Sequence, residues 1–214
     1  YNSDTPSNAT YLSRTWNVVN VSASDTNLHS VRLSWQNINE TFDNNSGSNY
    51  WENKSSLSDG FYDFFGWAND SANNRNFTSQ RTVIIDTTKP TMTILNPTAS
   101  QTLTDNVSIK LNFTVTDANP LSVCWFRVLD SSNNIEINNQ TISPCSNTTF
   151  NLPNSDSYNL TLYANDSAGN MNSTFVFFRI SLEKPAVSLL QPSDNQWLKY
   201  KSNIYFNFSA TDFD

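Results

Sequence analysis

The sequence predicts an all-β protein built of tandem antiparallel sandwich modules, each of about 95 residues. Three observations predict it. The stretch "YANDSAGN" at 163–170 has a near copy, "WANDSANN", at 67–74. Short runs of β-branched and aromatic residues follow a period of two, separated by clusters of Asn, Ser, Asp and Pro. No stretch of ten or more residues carries helical periodicity.

The repeat sets the frame for the elements. "SIKLNFTVTDAN" (108–119) aligns with "WNVVNVSASDTN" (16–27) at an offset of 92, and with "SNIYFNFSATDF" (202–213) further on. "IDTTKP" (85–90) matches "SLEKP" (181–185), and Pro6, Pro97 and Pro192 each close a short strand-like run. The copy at 89–183 is complete. Its runs predict strand A at 91–96, B at 107–116, C at 122–129, a central pair within 134–151, F at 158–165 and G at 173–181. In strand B, Leu111, Phe113 and Val115 alternate with Asn112, Thr114 and Thr116, so one face turns inward and the other meets water. Trp125 is the expected core residue of strand C, which sends its neighbour Cys124 to the opposite face. Six or seven short strands in such a unit read as a sandwich of immunoglobulin or fibronectin type III kind.

The expected modules are 1–88, 89–183 and, at 184–214, the first two strands of a third. "YNSDTP" aligns with "MTILNP", so module 1 is entered inside or just at strand A: either the start of that strand is missing from residues 1–88, or the module holds a full set of strands. Phe206 and Phe208 lack a second sheet to cover them. Either the protein continues as a longer repeat array, or 186–214 complete a sandwich in a neighbouring copy. Both readings give an extended assembly.

Composition narrows the function. Charged residues are only 14% of the 214, with a net charge of −7. That balance argues against nucleic acid as a partner. No apolar run approaches the roughly 20 residues of a membrane span. No signal peptide is seen, so an exported protein would be represented here by a mature or excised piece. Only four glycines are present, which leaves Asn to fill many turns. Cys124 and Cys145 stand 21 apart and are expected to form a disulfide in an exported protein.

N-glycosylation sequons are dense. They fall at Asn8, Asn20, Asn39, Asn44, Asn53, Asn69, Asn76, Asn106, Asn112, Asn139, Asn147, Asn159, Asn165, Asn172 and Asn207. Shuffling the same composition gives roughly eight such sites. Register separates the excess from accident. Asn20, Asn112 and Asn207 share the outward position on strand B of successive units, Asn69 and Asn165 share the F–G turn, and Asn76 and Asn172 share the start of strand G.

The pattern "Y-x-A-x-D-x-A-G-N", a strand, then "x-x-K-P" and a further strand closed by Pro, resembles the tandem Ig-like repeats of large archaeal and bacterial cell-surface proteins. The likeness covers the whole chain, with Asn73 in place of the glycine in the first copy. Such repeats form stalks, adhesins and surface fibres. The resemblance thus implies a cell-surface protein that assembles with copies of itself in a filament or surface layer.

Enzyme signatures are absent: there is no Gly-rich phosphate loop, G-x-S-x-G, H-E-x-x-H or Cys-x-x-Cys. His29 has no repeat counterpart and is expected in a solvated loop. One site is expected from the repeated acids. In an Ig-like sandwich the B–C and F–G turns share an end with the incoming linker, so Asp117 and Asp166 approach Asp86. Asp25 and Asp70 are their counterparts in the first unit, and Asp212 and Glu183 in the third. Three carboxylates with carbonyls suit Ca²⁺, while ordinary turn chemistry, with Asp bonding its own backbone, accounts for the same residues. No other cofactor is expected. The leading function is a non-enzymatic, heavily glycosylated extracellular rod, stalk or filament. The alternative is a ligand- or carbohydrate-binding ectodomain, or the accessory region of a surface enzyme, using aromatics such as Trp51, Trp197 and "FYDFFGW" (61–67).

Overall fold

A computed structural model describes residues 1–182, 184, 186–199 and 204–211. The described residues form strands and no helix. Module 1 holds β1 (Thr10–Leu12), β2 (Asn17–Ser22), β3 (Leu28–Trp35), β4 (Ile38–Thr41), β5 (Asn44–Ser46), β6 (Asn49–Lys54), β7 (Gly60–Asp70), β8 (Arg75–Phe77) and β9 (Arg81–Ile85). Module 2 holds β10 (Thr91–Asn96), β11 (Thr102–Leu103), β12 (Ile109–Thr116), β13 (Leu121–Leu129), β14 (Ile135–Ile142), β15 (Thr148–Phe150), β16 (Asp156–Asp166) and β17 (Met171–Ile180). Then come β18 (Ala186–Gln191) and β19 (Asn207–Thr211), an antiparallel pair.

Each module is a two-sheet sandwich. In module 2 one sheet runs β10-β12-β15 and the other β11-β17-β16-β13-β14. These are strands A-B-E and A′-G-F-C-C′ of an Ig-like fold, and their limits follow the sequence expectation within two or three residues. Alternation explains the close agreement: β12 buries Ile109, Leu111 and Phe113 and turns Lys110, Asn112 and Thr114 away. Module 1 repeats the larger sheet as β1-β9-β7-β3-β4, with β8 beside β7. Its second sheet is only β2-β6-β5.

Two details differ from expectation. Residues 1–6, which align with the end of β10, run beside β2 without forming a strand. "YNSDTP" carries no period-two alternation and runs as turn and coil, with the Asn2 amide bonding the Asn20 carbonyl at 2.9 Å. Strand C is also inverted from expectation. Cys124 is fully buried with Phe126 and Val128, while Trp125 lies on the outer face, stacked on Tyr163 at 5.2 Å. Both faces of "VCWFRV" are apolar, so alternation alone left the choice open; Arg127, on the Trp125 face, marks the outer side.

The core of module 2 joins Leu111, Cys124, Phe126, Tyr158, Leu160, Leu162 and Phe178, among others. Burial of each large apolar side chain there contributes about 1.5–3 kcal/mol. Cys124 is bonded to Cys145, with Cα atoms 5.3 Å apart, and ties β13 to the segment ahead of β15. Phe206 and Phe208, beside and on β19, are exposed.

Candidate functional site

The repeated polar octapeptide is a hairpin turn that bonds itself. In β16–β17, Asp166 Oδ1 accepts the amides of Ala168 and Asn170 at 2.9 and 2.8 Å, and Asp166 Oδ2 accepts Asn170 Nδ2 at 2.8 Å. Asp70 and Asn74 repeat the pattern at 2.8 and 2.7 Å. So do Asp130 and Asn134 between β13 and β14, a third use of the same turn outside the repeat register. The residue before the final Asn takes left-handed backbone: Asn73 has φ 67°, Asn133 65° and Gly169 94°. Asn73 thus stands in for glycine as expected.

The linker is held from both sides. Asp86 follows β9, and its amide bonds the Leu12 carbonyl at 3.0 Å. Asp59, just ahead of β7, accepts the Thr87 amide at 2.9 Å and the Thr87 and Thr88 hydroxyls at 2.8 and 2.7 Å. Those bonds, led by the Thr88 hydroxyl, lower the Asp59 pKa. From module 2, Asn170 Nδ2 donates to the Asp86 carbonyl and Asn172 Nδ2 to the Pro90 carbonyl, both at 2.8 Å. Asp59, Asn170 and Asn172 were not identified as linker anchors from sequence. The only available signal was the fixed D-x-x-x-N spacing that places Asn170.

At this junction Asp86, Asp117 and Asp166 present carboxylate oxygens all within 4.8 Å of one another. They come from the linker, the β12–β13 turn and the β16–β17 turn. Asp86 and Asp166 are each 1% exposed. Asp117 Oδ1 accepts the Asn119 amide at 2.8 Å, and Asp86 Oδ1 that of Thr88 at 3.2 Å. The Oδ2 atoms of Asp86 and Asp117 are buried without a hydrogen-bond partner. Turn chemistry therefore accounts for one oxygen of each and leaves the other unsatisfied, although buried charges ordinarily require partners. Burial raises the Asp86 pKa, opposed by the Thr88 amide and reinforced by the charges of Asp166 and Asp117. The ion pairs among the described residues, Lys54 with Glu40 and Glu52, lie in module 1. Anionic oxygen without a counter-charge fits a hard divalent cation, with these three carboxylates as its ligands.

The equivalent acids of module 1, Asp25 and Asp70, cap their own turns; Asp25 accepts the Asn27 amide at 2.7 Å. Asp212 and Glu183 lie outside the described residues. His29 is exposed, but sits on β3 rather than in a loop. None of the fifteen sequon asparagines is buried. Trp51 is half-buried on β6, and Trp197 is 97% exposed. No helix among the described residues is long and apolar enough to cross a membrane.

The modules have the Ig-like β-sandwich fold, which is typical of extracellular modules. The family model for the bacterial Ig-like domain (group 3) matches residues 47–124. That span runs from ahead of β6 across the linker into β13. Similar solved structures include the fibronectin(III)-like modules of Clostridium thermocellum CbhA, at 16% identity, covering 83% of this chain and 91% of that one, with a TM-score of 0.45. Another is a tetra-tandem repeat from the extending region of a large adhesion protein, at 18% identity, covering 83% and 48%, with a TM-score of 0.38. No curated protein matches the chain.

Proposed function

We propose that the chain is a non-catalytic, N-glycosylated length of an extracellular rod or stalk whose module junction is locked by Ca²⁺. One observation carries the reading. Three loops bring Asp86, Asp117 and Asp166 within 4.8 Å at the linker, two of them with buried, unpartnered oxygens. A cation shared by the linker and both turns of module 2 would remove the hinge freedom of residues 86–90. Glycans on outward asparagines would shield the rod and supply the hydration that a low charge content does not.

The test is thermal unfolding with Ca²⁺ or with EDTA, beside calorimetric titration of Ca²⁺ into the chain. Ca²⁺ at about a hundred times its Kd stabilises the junction by about 2.7 kcal/mol. The double variant Asp86→Asn, Asp117→Asn loses that gain. An undetectable binding heat, or an equal Ca²⁺ effect in the variant, overturns the reading. Acidity gives the test a second arm. The raised pKa of Asp86 makes its contribution to stability complete below the ordinary carboxylate pKa of about 4; that contribution is lost as pH rises through the raised value. In EDTA the junction is therefore weaker at neutral pH than under mild acid. In Ca²⁺ the trend reverses, because the ion requires ionised carboxylates.

A further inference from the structure

Trp51 lies on β6, the middle strand of the small sheet β2-β6-β5 of module 1. Its neighbours turn inward, Tyr50 against the module 1 core and Glu52 into a buried position, so the Trp51 ring lies on the outer face. The other tryptophans of modules 1 and 2 each have a ring or a cation against them. Trp16 has Arg14, Trp35 has Tyr62, Trp67 has Arg75 and Trp125 has Tyr163; Trp51 has neither among the described residues. What flanks it is asparagine. Trp51 stands in register with Asn20 of β2 on one side and with Asn44 of β5 on the other. Both open sequons, Asn20-Val21-Ser22 and Asn44-Asn45-Ser46, and so does Asn53, two residues along β6 on the same face. Residues directly opposite have Cβ atoms about 4.5–5.5 Å apart. The Asn20 side-chain oxygen accepts Asn2 Nδ2 at 2.7 Å, which leaves its own Nδ2 free. Asn44 is exposed.

We infer that Trp51 is a stacking platform for the chain's own N-glycans: the first sugars carried by Asn20 and Asn44 pack their C–H faces against its indole. The inference rests on the N-glycosylation proposed above. A pyranose ring presents C–H groups on one face, and an indole offers apolar area with a negative π-face, so the contact joins burial to quadrupole attraction. A neutral sugar leaves water without the desolvation cost of an ion. Attachment one strand away holds the sugar at high effective concentration, so a contact too weak to capture a free ligand is still made. The same geometry disfavours a free saccharide as the occupant, because three sequons on one face surround the ring. Module 2 has the sequon without the platform. Asn112, the counterpart of Asn20, pairs with Asn96 of β10 rather than with an aromatic residue. Glycans seated on Trp51 span β2, β6 and β5 and slow the opening of that sheet.

The test uses the glycosylated protein from its native source. Glycopeptide mass spectrometry first reads Asn20 and Asn44. NMR then reads the sugars, because an indole moves protons above its face upfield. Upfield-shifted sugar protons are expected in the Asn20 and Asn44 glycans, lost in Trp51→Thr, and not in the Asn112 glycan. Hydrogen exchange gives a second readout through a double-mutant cycle. Trp51→Thr speeds exchange of the β2 and β6 amides about fivefold more in the glycosylated chain than in the chain carrying Asn20→Gln and Asn44→Gln, the size of one aromatic contact. The cycle cancels any stability that Trp51→Thr removes by itself. Bare Asn20 and Asn44 overturn the inference together with the glycosylation reading at these sites. Occupied sites with unshifted sugar protons, or an equal effect of Trp51→Thr in both chains, overturn the inference and leave glycosylation standing. Binding of an added free saccharide at Trp51 of the glycosylated chain makes the ring a receptor site and overturns it as well.

Discussion

Modules 1 and 2 share a frame but not a core. Their hairpin turns coincide down to the hydrogen bonds of Asp70–Asn74 and Asp166–Asn170. Their interiors have diverged. Module 2 buries a cluster of sixteen residues and is cross-linked by Cys124–Cys145. The corresponding cluster of module 1 has six buried residues and no cysteine. The core position of Ile109 in module 2 is taken in module 1 by Asn17, which is 0% exposed with both amide atoms unpartnered. Turns admit few substitutes, because left-handed backbone and self-capping need Asp, Asn or Gly at fixed places. A core needs only apolar volume, and it drifts. The repeat is therefore visible in its turns, and the difference in stability lies between them.

The largest expected effect breaks the difference at its cross-link. With Cys124→Ala and Cys145→Ala together, module 2 loses about 3 kcal/mol, the loop-closure value for a loop of this size. Amide exchange of β16 in mildly denaturing buffer should speed up accordingly, while that of β7 stays unchanged. A shift of both strands would show that the modules unfold as one unit. A smaller change works from the other side. Asn17→Ile removes a buried, unsatisfied amide and restores the apolar residue of module 2, for a gain of about 1–2 kcal/mol confined to module 1. Denaturant midpoints read from β7 amides check it, and a loss of stability there would mean that Asn17 has a partner in the native state.

What was legible in the sequence follows the same division. Strand limits were legible because alternation between water and core is strict in β12 and β16. The trio Asp86, Asp117 and Asp166 was legible because Asp117 and Asp166 sit at repeated turns and Asp86 in the repeated linker, and Ig-like topology puts those turns at the linker's end. Facing was not legible where both sides of a strand are apolar, as at Cys124 and Trp125. The linker anchors were not legible either. Asp59 stands 28 residues before Thr87 and 29 before Thr88, too far for any local turn pattern; only the fold brings its carboxylate to their hydroxyls.

The smallest effect in energy is the sharpest in contrast, and it concerns glycans at equivalent sequons. Asn76 and Asn172 both open strand G, and each side-chain oxygen accepts the next residue's amide at 2.9 Å. Their nitrogens differ. Asn76 is exposed, and its Nδ2 bonds nothing among the described residues, whereas Asn172 Nδ2 is turned inward to the Pro90 carbonyl at 2.8 Å. Asn165 is engaged in the same way once its amide is assigned by its surroundings: the position facing the Gly169 and Asn170 carbonyls, at 3.2 and 3.0 Å, is then the nitrogen. Glycosylation places the sugar on Nδ2 and needs that atom presented outward. If the chain is modified once folded, Asn76 and the strand-B sites Asn20, Asn112 and Asn207 carry glycan, while Asn165 and Asn172 are largely bare. The linker accounts for the contrast, since the Asn172 amide is occupied in holding residues 86–90 and Asn76 has no such partner. Intact glycopeptide mass spectrometry of the protein from its native source reads each site separately. Equal occupancy at Asn76 and Asn172 would show that modification precedes folding or that the linker bond opens freely. Bare asparagines at Asn20, Asn112 and Asn207 would remove the glycan coat from the proposed function.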